Sequence, residues 1–563
     1  MKHRHCVGDM APLCILGLLF SLTLSATSQV RLLSEHPEAR PAELDRSWPS
    51  VLTHTHNWRF GDGETQENFI VAEKRLVAWC RDMGIQAVGV GSAWNPENLA
   101  NFDRYEGPDR NLYYSGKFDQ RSVMDAGGVK RLLQFLNDQS SGATLFYLDN
   151  ETPKSRMGHV WWFGYLYDYP AWHDNSQDRP IQYWEHDPEV EINPLNGEPQ
   201  RRRNLFEIMA TQHKAGAIGI FAHPTRWWEN DDRFVTNIAA MAGLFLVAND
   251  GLDGIAVMGD RVYNKSYQDL WFSFLDTGAK VPGFAETDFL LNKVSEHNQR
   301  DTFRNYPHIG NRPLTEWTIR DAARAGDVFF GNGGFVSISV DGVPMGSVVR
   351  TAPGMRHRLR IEAYPAKDSA MGRIEIIGKH GRELATKDNF PGGVLEYEFP
   401  GSAEPDYVLV RAFGAGDDPI HDPDHVKYLA ISNPVYLWPN GFQPRPALTD
   451  CRFGVAANSR WIGGSIAMET TDGELIRKER IRAGSIAATL PANGRVVLSK
   501  PGLQTHMFYI AMENPEVEKY LSYLEYGEFR KDYPNLRESV VPPQAFHLEG
   551  VRKALQHFDY QVQ

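Results

Sequence analysis

Two histidines one residue apart, His54 and His56 in "VLTHTHNWRFGDGE", place two imidazoles on one side of an extended chain, because alternate strand residues share a face. Asp62 follows in a glycine-flanked loop. The same donor types recur where apolar runs end: Glu151 closes "ATLFYLDNE", His223 closes "AIGIFAHP" and Asp288 closes "VPGFAETD", while His159 opens "HVWWFGYL". Imidazoles and carboxylates gathered at one rim are the ligand chemistry of Zn²⁺, Mn²⁺ or Fe. Each residue alone has a plainer reading, as a polar turn, a core histidine before a proline, or an acidic helix cap. Their joint occurrence at strand ends points to a metal site. Outside the first residues the cysteines are Cys80 and Cys451, so neither a disulfide framework nor a thiolate zinc site is expected. Cys80 falls on the apolar side of an expected helix and reads as core.

For these groups to meet, strands must lie side by side with their ends at one rim. From about residue 51 to 288 apolar strands alternate with amphipathic helices. "TQENFIVAEKRLVAWCRDMG" carries Phe69, Ala72, Leu76, Trp79 and Met83 on one helical face and stops at Gly84. "IQAVGVG" reads as a buried strand, followed by a helix over roughly 120–137. "ATLFYLD" and "HVWWFGYL" are two strands with little between them. A polar, proline-rich loop over roughly 169–203 is long enough to be a functional excursion. Then come helix "NLFEIMATQHKAG", strand "AIGIFAHP", a helix around 234–247, strand "DGIAVMG", a helix around 267–277 and strand "VPGFAETD". This alternation predicts a parallel sheet of about seven strands closed as a barrel, with chemistry gathered at the strands' carboxyl ends. After "TEWTIRDAARAGD" short alternating strands predict a β-sandwich. A proline-rich linker, further strands and helical segments up to "HLEGVRKALQHF" complete the chain.

Composition narrows the functional classes. The 563 residues carry a formal net charge of −12 and no basic tract, which argues against a nucleic-acid or anionic-membrane partner. The N-terminus has a basic start, an apolar run from Ala11 to Leu24 and small residues at Ser25, Ala26 and Ser28. That is the pattern of a secretory signal peptide over 1–28, so an exported, periplasmic or extracellular protein is expected, free of the membrane after cleavage. No Ser-His-Asp or P-loop pattern is present.

The motifs "THTHNWRFGDG", the Glu of "LDNE", "GH", "AHPTR" and "AETD" resemble, in order, those of the PHP (polymerase and histidinol phosphatase) domain. "AARAGDVFFGNGGFVSISVDGVPMGS" and "ISNPVYLW" resemble the branch typified by carbaryl esterase, carrying the likeness to about residue 438. The resemblance implies an α/β fold: a distorted seven-stranded β/α barrel over 51–335, a β-sandwich over 336–440 and a mixed α+β region over 441–563. It implies that His54, His56, Glu151 and Asp288 hold one metal, and that Glu151 bridges to a second held by His159 and His223. Ala93, Trp94 and Leu290 stand where relatives with a third metal carry ligands, leaving Asp62 without its partners there. One or two divalent ions are therefore expected.

The function expected from this set is metal-dependent hydrolysis of an ester, carbamate, amide or phosphoester. Glu151 would act as bridging catalytic carboxylate, and Arg226 of "HPTRWW" would meet developing negative charge. The partner is a small-molecule or carbohydrate substrate. The aromatic cluster "WWFGYLYDYPAWH", with Trp161 and Trp162, reads either as a sugar or aryl platform or as core. Two other functions are compatible with the sequence: a carbohydrate-active enzyme, hydrolytic or eliminative, and a secreted binding protein on a degenerate barrel.

Overall fold

The computed structural model describes residues 30–56, 68–90, 126–151, 159–163, 190–192, 199–201, 213, 216–224, 252–259, 265–290, 302–366, 369–417, 428–442, 448–470, 473–492, 494–516 and 553–563. The expected signal peptide, the helix around 234–247 and most of the loop 169–203 lie outside them.

Short apolar strands with two buried faces organise the N-terminal half. On the strands Val51–Leu52, Ala87–Val90 and Leu145–Glu151, residues alternate between two cores. Val51, Ala87 and Tyr147 join Trp161, Phe163, Ile218, Ile220 and Phe284 on one side, closed by Ile319 and Ala323 of the helix Glu316–Ala325. Leu52, Val88 and Phe146 face the other way, against Leu76, Val77 and Cys80 of the helix Asn68–Asp82 and Leu136 of the helix Ala126–Ser140. Burying a Leu, Val or Phe side chain stabilises by roughly 1.5–3 kcal/mol, so a strand apolar on both faces is fixed in register from both sides. Cys80 is core, as its place in the sequence suggested.

These strands do not form the expected β/α barrel. Strands predominate over helices among the described residues and are distributed over six sheets. The largest sheet has fifteen strands, beginning Gly283–Ala285, Gly254–Met258, Ile218–Ala222, His159–Phe163, Leu145–Glu151, Ala87–Val90 and Val51–Leu52. Within this run His159–Phe163 is antiparallel to both its neighbours. The physical reason lies in the link 152–158, since a parallel crossover needs about a dozen residues or more. Beyond Val51 the sheet continues, antiparallel, through Arg304–Pro307, Val328–Gly331, Leu429–Ser432, Asp406–Gly414 and Met371–Gly378. Hydrogen bonding thus crosses the boundary expected near residue 335 without interruption.

In the central region the strands Phe335–Val340 and Arg356–Tyr364 alternate buried and accessible residues, as half-buried antiparallel strands do. They belong to a five-stranded sheet whose edge strand, Arg31–Pro37, comes from the start of the described chain and pairs with Gly393–Pro400. Ile338, Leu359, Ile361 and Leu395 of this sheet share a core with Ile374, Ile376, Val408 and Val410 of the large one.

Among its described residues the C-terminal region is built mainly of strands. A three-stranded and a four-stranded sheet enclose Phe453, Ile466, Val496, Phe508 and Phe558. The end of "HLEGVRKALQHF", expected to be helical, opens the strand His557–Val562, which pairs parallel with Leu448–Val455. Phe558 lies in that core and Asp559 outside it, a period-2 placement that overrides the helical propensity of the preceding residues.

Candidate metal centre

The apolar face of the N-terminal strands turns polar at its end. Two residues beyond Tyr147 stands Asp149, following the alternation of its strand, and Glu286 stands just past the end of Gly283–Ala285. With His54 and His223 they make a cluster of ionisable residues all within 1% exposure. The ends of two segments are laced together around it. The Thr53 hydroxyl donates to the Ala285 carbonyl at 3.2 Å and the Thr287 hydroxyl to the Thr53 carbonyl at 2.8 Å. The Asp288 N–H donates to the His54 carbonyl at 2.8 Å, and the backbone pairs Thr55–His56 with Phe289–Leu290.

Side-chain geometry follows from this lacing. The Glu286 carboxylate lies 2.8 Å from His54 Nδ1 and accepts the His223 backbone N–H at 2.8 and 3.0 Å on its two oxygens. Asp149 Oδ2 accepts the His54 backbone N–H at 3.0 Å. His54 Nε2 is 3.7 Å from Asp288 Oδ1. The His54 ring stacks with those of Trp161 and His223, with centroids 5.9 and 5.6 Å away. Trp161 is wholly buried and packs with Phe163 and Phe284, so of the two roles open to it in the sequence it serves as core. Burial, then the nearby Asp149 and Glu316 carboxylates, push the Tyr147 phenol well above its ordinary pKa.

Two glycines make room for the carboxylates. A β-carbon on Gly89 would lie 2.4 Å from Asp149 Oδ2, and one on Gly259 would lie 2.7 Å from the Glu286 Cγ.

Backbone conformation singles out three of the expected ligands. His54, His223 and Asp288 have φ of 53°, 26° and 47°, in the left-handed region that side-chain-bearing residues rarely occupy. His223 does so directly before Pro224, which ordinarily holds its predecessor extended. Each such residue costs on the order of 1–3 kcal/mol and persists only where its surroundings over-determine it, most often at a functional site.

One pair of donors is spaced as two ligands of a single divalent cation would be. Two ligands held about 2.0–2.2 Å from a four-coordinate ion are themselves about 3.4 Å apart, close to the separation of His54 Nε2 and Asp288 Oδ1. Among the described residues no three His, Cys, Asp or Glu side chains are grouped closely enough to hold a metal by themselves. The backbones of His56, Glu151 and His159 are described and their side chains are not: His56 is in register with Leu290, Glu151 with Trp161, and His159 with Ala222, the neighbour of His223. Asp62, Arg226, Ala93 and Trp94 lie outside the described residues.

Asp149 and Glu286 lie outside the set of residues expected from the sequence. Each stands two residues before an expected ligand, Asp149 before Glu151 in "LDNE" and Glu286 before Asp288 in "AETD".

No family model matches the chain, and no curated protein matches it. Among solved structures, the major pilin subunit of Bacillus cereus matches at 9% identity, covering 31% of this chain and 63% of the pilin, with a TM-score of 0.13. The BSP domain of a biofilm associated protein matches at 14% identity, covering 31% of this chain and 28% of that one, with a TM-score of 0.12. The chain thus spans less than two thirds of either structure. At such scores the likeness carries no argument about fold or function. Among the described residues no helix is long and apolar enough to cross a membrane.

Proposed function

We propose that the chain is an exported, metal-dependent hydrolase with a PHP-type ligand set. The observation that carries this reading is the convergence of His54, His223 and Asp288, each in left-handed backbone, on one buried cluster with His54 Nε2 and Asp288 Oδ1 3.7 Å apart. Strain at three separated chain positions, meeting at one point, is a cost that packing alone gives no reason to keep. Export rests on the basic and then apolar residues that open the chain.

His54 and Asp288 would hold the ion, and His56, Glu151, His159 and His223 would be the further ligands of one or two ions. When bound, Zn²⁺, Mn²⁺ or Fe supplies Lewis acidity toward a scissile carbonyl or phosphoryl group and acidifies water. Asp149 holds the His54 backbone, and Glu286 holds the His223 backbone. Arg226 is the group assigned to developing negative charge. The bond cleaved is an ester, carbamate, amide or phosphoester.

A hydrolysis screen over aryl esters, carbamates, phosphodiesters and glycosides tests the reading. The expected result is turnover that chelator abolishes, divalent metal restores and His54→Ala lacks. Turnover indifferent to chelator and to His54→Ala would overturn it, and so would a glycoside product bearing a new unsaturated sugar.

A further inference from the structure

We propose that Glu286 is a positioning residue that fixes the His54 imidazole with its proton on Nδ1, which turns Nε2 toward the metal position. This rests on the metal reading above. One buried carboxylate meets both candidate histidines: its two oxygens accept the His223 backbone N–H, and Oε2 lies 2.8 Å from His54 Nδ1. With the Glu286 carboxylate as acceptor, the 2.8 Å contact places the proton of a neutral imidazole on Nδ1 and its lone pair on Nε2. Nε2 is the nitrogen that faces Asp288 Oδ1. A carboxylate behind a ligating imidazole orients the ring and raises its basicity.

The surroundings leave the Glu286 carboxylate little freedom to do anything else. Gly259, on the strand side, would press a β-carbon to 2.8 Å from Oε1 if it had one. The Glu286 N–H is itself tied to the Met258 carbonyl at 2.9 Å. Its backbone, its carboxylate and the two histidines are thus held as one unit.

The test uses the full-length protein, stripped of metal with chelator and titrated with Zn²⁺ against a chromophoric competitor. Glu286→Gln keeps the size and one carbonyl oxygen but offers an amide N–H₂ that Nδ1 can accept from, so the proton is free to move to Nε2. Its Zn²⁺ affinity is expected to fall about 10–100-fold. ¹⁵N-histidine NMR of the metal-free protein, with His54 identified by His54→Ala, is expected to show the Nδ1–H tautomer in the wild type and loss of that pattern in Glu286→Gln. Unchanged affinity and an unchanged tautomer in Glu286→Gln would overturn the role of Glu286 while leaving the metal reading intact, provided His54→Ala loses Zn²⁺. Wild-type protein that binds no Zn²⁺ would instead overturn the metal reading itself. If Glu286→Gln does not fold, the wild-type spectrum decides, and an Nε2–H tautomer overturns the proposal.

Discussion

Gly89 and Asp149 stand on neighbouring parallel strands so closely that a β-carbon on Gly89 would lie 2.4 Å from Asp149 Oδ2 and 2.7 Å from its Cβ. Gly259 stands to Glu286 in the same way, with the near contacts at Cγ and Oε1. At both places a strand gives up a side chain so that a buried carboxylate can reach one histidine or two.

Gly89→Ala should therefore displace Asp149 from the His54 backbone. Overpacking a filled interior costs roughly 1–3 kcal/mol, so the denaturation midpoint should fall with an unchanged slope. Metal affinity should fall with it, because Asp149 anchors the residue that carries the ligating ring. Wild-type affinity in Gly89→Ala would show that His54 is held by other means.

Asn433 joins the two halves of the large sheet. Its side chain accepts from the Gly283 N–H at 2.6 Å and donates to the carbonyls of Gly283 and Val328 at 3.0 and 2.8 Å, all of them buried. Asn433→Ala strands one amide and two carbonyls, each costing about 1–3 kcal/mol when unmet. A stability loss on the order of 3 kcal/mol or more is expected in urea denaturation. Because Gly283–Ala285 leads directly into Glu286 and Asp288, metal affinity should fall too; a loss under about 1 kcal/mol would show that the sheet closes without this side chain.

Asp406 gives the chain a pH-dependent component. Burial raises its pKa above the ordinary 3.8, a shift that the N–H groups of Tyr407 and Lys379, donating to Oδ1, oppose without cancelling. A carboxyl whose folded pKa is raised contributes stability that is fully present below its unfolded pKa and lost as pH rises through the folded value. Asp406→Asn keeps the Oδ1 acceptor and removes the titration. Relative to wild type it should gain stability as pH rises from about 3 through the raised value, and a difference constant with pH would contradict this account.

Three residues that the structure brings together were legible in the sequence, and the architecture around them was not. His54, His223 and Asp288 stand out in the sequence because each ends an apolar run, and apolar runs end where strands do. Asp149 and Glu286 stand two residues upstream of Glu151 and Asp288, and no motif in the sequence marks them. The barrel failed on a connection: apolar runs at "ATLFYLD" and "HVWWFGYL" reveal two strands but not their direction, and 152–158 is too short for a parallel return. The single bridge from Asn305 to Val51, which lets the large sheet run on into the central region, is a long-range pairing that no local pattern encodes. At the C-terminus, "KALQHF" reads as helix, while Phe558 is captured as a strand residue by Phe453 and Phe508.

The central claim is that the cluster at His54 and Asp288 holds a metal, and metal content measures it most directly. Elemental analysis of the purified mature protein should find a stoichiometric divalent ion of the Zn, Mn or Fe kind, and His54→Ala, folded as judged by circular dichroism, should have lost it. Wild-type protein without a stoichiometric ion after exposure to each metal, or His54→Ala retaining the wild-type content, would contradict the account.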